Sequence, residues 1–191
     1  MYLYFLPLTS ADSPPSEMLV PTPDGGVEHT AATFATAESF LSRAAAGDII
    51  LFPPQAFLLT LASRFLSSSP SSSSSSSSSS YAAQREELLE FIRATPTADT
   101  PRAREQAVSQ IPWGDKCISP HNLFIREGDG RVVLGLDKPG PELKGSGRGG
   151  DWERVVLVRF TRGGPSEVEV RRREDVLEEE RQVKKANETK L

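Results

Sequence analysis

Residues 67 to 80 are serine at every position except Pro70, a run of 14 in a chain of 191. Serine side chains remove almost no apolar surface from water, so nothing offsets the roughly 1–2 kcal/mol per residue that ordering a backbone costs. The run therefore reads as a disordered poly-Ser linker and leaves 177 residues to build a core. As a flexible coil it would span about 20 Å, too little to free its two ends from one assembly. At about 150 residues per domain, one modest domain is the ceiling. Apolar residues make up 37% of the chain, below the ~45–50% of an average globular domain, and this composition excludes a collagen and a coiled coil. No apolar run approaches the ~20 residues needed to span a bilayer, which argues against a membrane protein.

Lys plus Arg total 22 against 26 Asp plus Glu, a formal charge of −4. That balance announces neither a nucleic-acid nor an acidic-membrane partner. A single cysteine, Cys117, cannot close an internal disulfide. With only His29 and His121 beside it, a structural zinc site of four Cys or His ligands is excluded. The pattern is that of a reduced, intracellular, cytoplasmic protein.

The opening Met1 to Leu8 (MYLYFLPL) is apolar on both alternate faces, as a strand buried from two sides requires, and it lacks the basic leader and cleavage site of a signal peptide. A chain seldom opens on its most buried element, which suggests sequence upstream. Ser10 to Gly26 reads as loop and Val27 to Phe34 as a second strand. Thr36 is an N-cap for a helix from Ala37 to Ala46, with Gly47 as its stop. Ile49 to Phe52 reads as a short strand or an extended lead-in. Pro53-Pro54 then opens an amphipathic helix carrying Phe57, Leu58, Leu61, Ala62 and Phe65 on one face. A further amphipathic helix, Tyr81 to Ala94, is followed by a polar, proline-punctuated loop to Gln110.

From Ile111 the pattern turns to strands. Asn122 to Arg126 and Arg131 to Leu136 flank Glu127-Gly128-Asp129-Gly130, a hairpin signal. Arg154 to Phe160 and Glu167 to Arg171 flank Arg162 to Pro165 as a second hairpin. The expected organisation is a core portion over 1–66, the linker 67–80, a helix and loop over 81–110, a β-rich part over 111–180 and a charged tail over 181–191.

Three segments in order carry a family resemblance: MYLYFLPL; TPDGGVEHTAATF with GDIILFPPQAFLLTLASRFL; and PWGDKCISP with LGLDKPGPELKGSGRGGDWERVVLVRF. Together they are similar to the later part of the Nudix hydrolases, in particular the large eukaryotic branch that includes peroxisomal coenzyme A diphosphatase-like proteins. The resemblance covers most of residues 1 to 66 and 111 to 180. It implies an α+β fold, the later portion of a Nudix-type α/β/α sandwich with a mixed sheet and C-terminal β-hairpins. It also implies Mg²⁺-dependent hydrolysis of nucleoside diphosphate-linked compounds, coenzyme A derivatives among them. In that family glutamates of the box G-x5-E-x7-R-E-U-x-E-E-x-G-U hold Mg²⁺ beside a pyrophosphate.

This sequence lacks that box. The nearest segment, Glu174 to Gln182, aligns Glu178 and Glu179 with the paired glutamates. It places Glu174 at the arginine, Arg181 at the terminal glycine, Ser166 at the upstream glutamate and Phe160 at the first glycine. Glu178 to Glu180 thus reads as a solvated acidic face, and no catalytic or metal-ligating residue is assigned.

Gln55, Lys116 and Arg148 are the candidate substrate-binding residues. Gln55 follows two prolines at a helix start, where free N–H groups can hold an anion or be capped by the side chain itself. Lys116 and Lys138 sit beside glycines, able to touch an anion or to solvate a loop. Gly145-Ser146-Gly147-Arg148-Gly149-Gly150 could wrap a phosphate with N–H groups and a guanidinium, but it lacks the Walker order and reads better as a flexible loop. Cys117 and His121 could pair as nucleophile and base, although Ser119-Pro120 between them argues against it.

The resulting reading is a Nudix-like protein, truncated and inactive as this chain, with a nucleotide or coenzyme A-type ligand as its partner. A non-catalytic interaction or regulatory module is the alternative. The terminal Thr189-Lys190-Leu191 is similar to the Ser-Lys-Leu peroxisomal address, which sets peroxisomal targeting against the cytoplasm. The oligomeric state is not legible.

Overall fold

The computed structural model describes Thr33, residues 35–66 and residues 77–189, with the backbone alone given for 77–82. The chain divides into two units, Met1–Ala35 and Thr36–Leu191; the second is described below. The expected strands at Met1 to Leu8 and Val27 to Phe34, most of the serine run, and Lys190 and Leu191 lie outside the described residues.

Helix α1, Ala37–Ala45, begins where Thr36 Oγ1 accepts the N–H of Ser39 at 3.2 Å. That bond satisfies one of the donors that a helix start leaves free. After an extended stretch, α2, Pro53–Ser63, opens on two prolines in its first turn, where a missing N–H costs nothing. Ile49 to Phe52 forms no strand. Helix α3 runs Ser77–Arg93, starting four residues before the expected Tyr81 and so taking in the last serines of the run. The loop expected over 95 to 110 is partly wound into α4, Pro101–Arg104, and a 3₁₀ turn, Ala107–Gln110. Ala103 and Ser109 are buried there, and Thr97 N–H donates to Ser109 O at 2.7 Å.

Strands β1 (His121–Ile125), β2 (Val132–Leu136), β3 (Asp151–Thr161) and β4 (Gly164–Arg172) form one sheet in that order. Each pairing is antiparallel. The mixed sheet implied by the resemblance is therefore corrected for these strands. Two of the three connections are hairpins and the third contains no helix long enough for a parallel crossover, so each strand returns beside its predecessor.

Both faces of the central strands are covered, which explains why β3 reads Val-Val-Leu-Val instead of alternating apolar with polar. Leu134, Leu136, Val156 and Val158 pack on one face with Phe57 and Leu61 of α2. Val133, Val155 and Leu157 pack on the other with Val176. Val176 belongs to α5, Arg173–Glu188, a helix that continues through most of the expected 181–191 tail. Strand β4 shows the alternation, with Val168 and Val170 toward the first cluster and Glu167, Glu169 and Arg171 at the intervening positions. The chain is thus a mixed α+β fold of helices and a four-stranded antiparallel sheet.

The acidic run on α5 is not simply solvated, which corrects the reading of Glu178 to Glu180. Glu179 is gripped by Arg171 at 2.6 Å and by Arg126 at 3.0 Å. Glu180 is buried, and its carboxylate accepts the N–H of Glu127 at 3.3 Å. Arg173, Val176 and Glu180 are the buried positions of α5 and lie on one face of it, so a helix of charged residues turns some of its charges inward. Arg126 and Glu127 of the first hairpin and Arg171 of β4 supply their partners.

Candidate functional site

The strap from Ala107 to Ser119 and the loop from Asp137 to Gly150 lie side by side and meet at the start of β3. Backbone bonds lace them together, Cys117 N–H to Gly149 O at 3.1 Å and Ser119 N–H to Lys138 O at 2.8 Å, while Gly150 N–H to Asp137 O at 3.1 Å closes the loop on itself. Lys116 completes the lacing. Its ammonium donates to Val108 O at 2.6 Å and Gly150 O at 2.8 Å, and lies 5.0 Å from the centre of the Trp113 ring. Trp113 in turn stacks on Phe91 of α3 at 5.6 Å.

Burial pulls the Lys116 pKa down to about 8 from 10.5; nearby Asp151 opposes the shift and Arg154 reinforces it. A group whose folded pKa lies below its unfolded value makes folding more favourable as pH rises between the two. Stability of the wild type relative to Lys116→Met should therefore increase from pH 8 to pH 10.5. Melting temperatures of both proteins across that range check this, and parallel pH profiles would count against it.

Beneath Lys116 lies a buried charge cluster at the start of β3. Asp151, Glu153 and Arg154 are 3%, 3% and 6% exposed, so each needs a partner within the protein. Arg154 reaches Asp151 at 3.1 Å, Glu153 at 3.3 Å and Asp99 at 3.2 Å. Asp151 also accepts the N–H of Glu153 at 2.9 Å. Glu153 accepts the N–H groups of Asp99, at 3.1 Å, and Thr100, at 2.8 Å. Burial raises the Asp151 pKa despite Arg154. For Glu153 burial also pushes upward, but the Asp99 and Thr100 N–H groups and Arg154 outweigh it, and its pKa falls. These carboxylates are saturated by internal donors and act as an anchor for the 99–104 segment.

The three sequence-predicted residues fare differently. The side-chain oxygen of Gln55 accepts the N–H of Phe52 at 2.9 Å and so caps its own helix, the structural one of its two readings. Lys116 spends two donors on backbone carbonyls. Arg148 is exposed, with one guanidinium nitrogen 3.6 Å from Cys117 Sγ. Lys116 and Arg148 thus flank one junction, at Gly149 and Gly150, and Gln55 makes its bond elsewhere, on α2. The last two glycines of the 145–150 loop are buried and pinned, unlike the flexible loop expected.

Cys117 faces Arg148, and the His121 ring nitrogens face Gly135 O, at 3.2 Å, and Asp137, at 3.8 Å. The imagined pairing of Cys117 with His121 is replaced by these contacts, because His121 already belongs to the sheet edge. Sequence reasoning missed Asp99, Asp137, Asp151, Glu153, Arg154 and Arg173. One signal was available, the three charges of Asp-Trp-Glu-Arg leading into an apolar run.

Comparison with protein-family models, curated proteins and solved structures gives no match. What the fold and the site define is the class alone, a mixed α+β domain with a four-stranded antiparallel sheet, a laced loop junction and a buried ionic anchor. No helix among the described residues is long and apolar enough to cross a membrane.

Proposed function

We propose that the chain is a Nudix-like protein without hydrolytic activity of its own, and that it binds a nucleotide or coenzyme A-type ligand through the loop bearing Arg148. The order of the quoted segments and the helices on both faces of the sheet support the family reading and the α/β/α layering. The observation that carries the loss of catalysis is the fate of the box-like glutamates. Glu179 is neutralised by Arg171 and Arg126, Glu180 holds the N–H of Glu127, and Glu178 pairs with Arg181 at 2.9 Å. Hard divalent cations require several free oxygen ligands together. Among the described residues no group of three or more His, Cys, Asp or Glu is placed to hold a metal, so the donor set does not fit the family's Mg²⁺. The exposed Arg148 guanidinium keeps donors free for phosphate oxygens.

The purified chain is expected to release no product from ADP-ribose or coenzyme A with Mg²⁺ or Mn²⁺. Arg148→Ala is expected to weaken ligand binding by about 1 kcal/mol, roughly fivefold in Kd, as for an exposed ionic contact. Turnover that disappears in the double variant Glu178→Gln, Glu179→Gln would overturn the catalytic reading. Equal affinity of wild type and Arg148→Ala in calorimetry would overturn the binding site.

An interaction module is favoured by one separate observation. Ile125, Phe160, Phe52 and Ile50 are 65%, 56%, 56% and 53% exposed, so four large apolar side chains stand in water.

A further inference from the structure

We propose that His121 is a proton-operated latch on the start of α5: a proton gives its ring a second N–H, which competes with Arg173 for the carboxylate of Asp137. Both ring nitrogens face acceptors. Nδ1 lies 3.2 Å from Gly135 O, and Nε2 lies 3.8 Å from Asp137 Oδ1. A neutral imidazole has only one N–H, so it turns a lone pair toward one of these oxygens, whereas the imidazolium can serve both. The ring fits in this position because Gly135 has no side chain: a Cβ there would come within 2.7 Å of Nδ1.

Asp137 Oδ1 is also the oxygen that accepts from Arg173 Nη2. Arg173 is the first residue of α5 and lies over the Trp152 ring, 5.0 Å from its centre. Its Nε is buried without an acceptor, so the guanidinium has little to fall back on when Asp137 is drawn away. The charged groups facing the ring are Asp137 and Lys138, which follow β2, and Arg173 from α5. Burial, Lys138 and Arg173 lower the His121 pKa, and Asp137 opposes them. At neutral pH the ring is therefore neutral and Asp137 stays with Arg173.

The sign follows from linkage. With the folded pKa below the ordinary 6.5, the stability contributed by the neutral ring is fully present above about pH 6.5 and lost as pH falls through the folded value. The latch opens in mild acid, and the element released is the N-terminal turn of α5 on Trp152.

The test uses the full chain with Trp113→Phe, so that fluorescence reports Trp152 alone, together with amide exchange corrected for intrinsic rates. From pH 7.5 to pH 5 the Trp152 signal should follow a single-proton transition. Exchange over Val176–Glu178, whose N–H groups close the first turn of α5, should quicken severalfold. His121→Gln should be flat in both readouts. Asp137→Asn, which removes the contested charge, should exchange quickly already at pH 7.5 and show no further response. A flat wild type, or a transition that survives His121→Gln, would overturn the latch. If His121→Gln fails to fold, nuclear magnetic resonance of a His29→Gln chain decides: the His121 ring and the Trp152 indole must share one midpoint, and different midpoints overturn the proposal.

Discussion

Gly150→Ala is expected to cost more than about 3 kcal/mol, a large share of the ~5–15 kcal/mol that keeps a domain folded. Overpacking of a tight site typically costs 1–3 kcal/mol, and here broken hydrogen bonds add to it. A Cβ at this position would collide with Leu136 O and would sit 2.6 Å from Ile118 Cγ1 and 3.3 Å from Cys117 O. Two of those three obstacles are backbone, so no rotamer change relieves them. The backbone cannot retreat either, because Gly150 N–H is bound to Asp137 O and Gly150 O receives Lys116 Nζ. Gly128 is the control: nothing lies within 4 Å of its would-be Cβ and its backbone is not left-handed. Urea unfolding of both variants should give a collapsed midpoint for Gly150→Ala and one within about 0.5 kcal/mol of wild type for Gly128→Ala. Similar midpoints for the two would mean that the strap and loop are not laced as described.

Arg154→Ala is expected to cost about 3–5 kcal/mol at pH 7, the range for breaking one partner out of a buried ionic cluster. The loss comes less from the missing attraction than from Asp151, which is left buried without its ion-pair partner. Its folded pKa is already raised by burial, and without Arg154 it rises further. A carboxyl with a raised folded pKa binds a proton more readily in the folded state, so the deficit should shrink as pH falls from 7 to 5. Glu153 does not cancel this: its folded pKa is lowered, so its contribution is present above its ordinary 4.5 and is lost only below that. Denaturant titrations of wild type and Arg154→Ala at pH 7 and pH 5 check the pattern. A deficit equal at both pH values would count against Asp151 as its source.

Legibility in the sequence followed the range of the interactions. Thr36 and Ser39 are three residues apart, as are Phe52 and Gln55, and both caps could be placed from the chain alone. The hairpin turn at Glu127 to Gly130 was equally legible, since Arg126 N–H to Arg131 O closes it locally at 2.9 Å. The two-sided burial of β3 was foreshadowed by its unbroken apolar run. The candidate site was much less legible. Arg148 and Lys116 were singled out, but neither the ties of Lys116 to Val108 and Gly150 nor the contact of Arg148 with Cys117 has a sequence signal.

The sequence by itself determined the starts of α1 and α2, the hairpin turns and the apolar faces, because each depends on a few neighbouring residues and on the period of the backbone. Only the tertiary structure decided which charges are buried and which glycines admit no side chain. Arg154 and Asp99 are 55 residues apart, and Arg126 and Glu179 are 53 apart. At such separations a charge run on α5 looks the same whether it faces water or Arg126 of the first hairpin. The difference is set by desolvation, which acts on a side chain only once the fold has brought its neighbours around it.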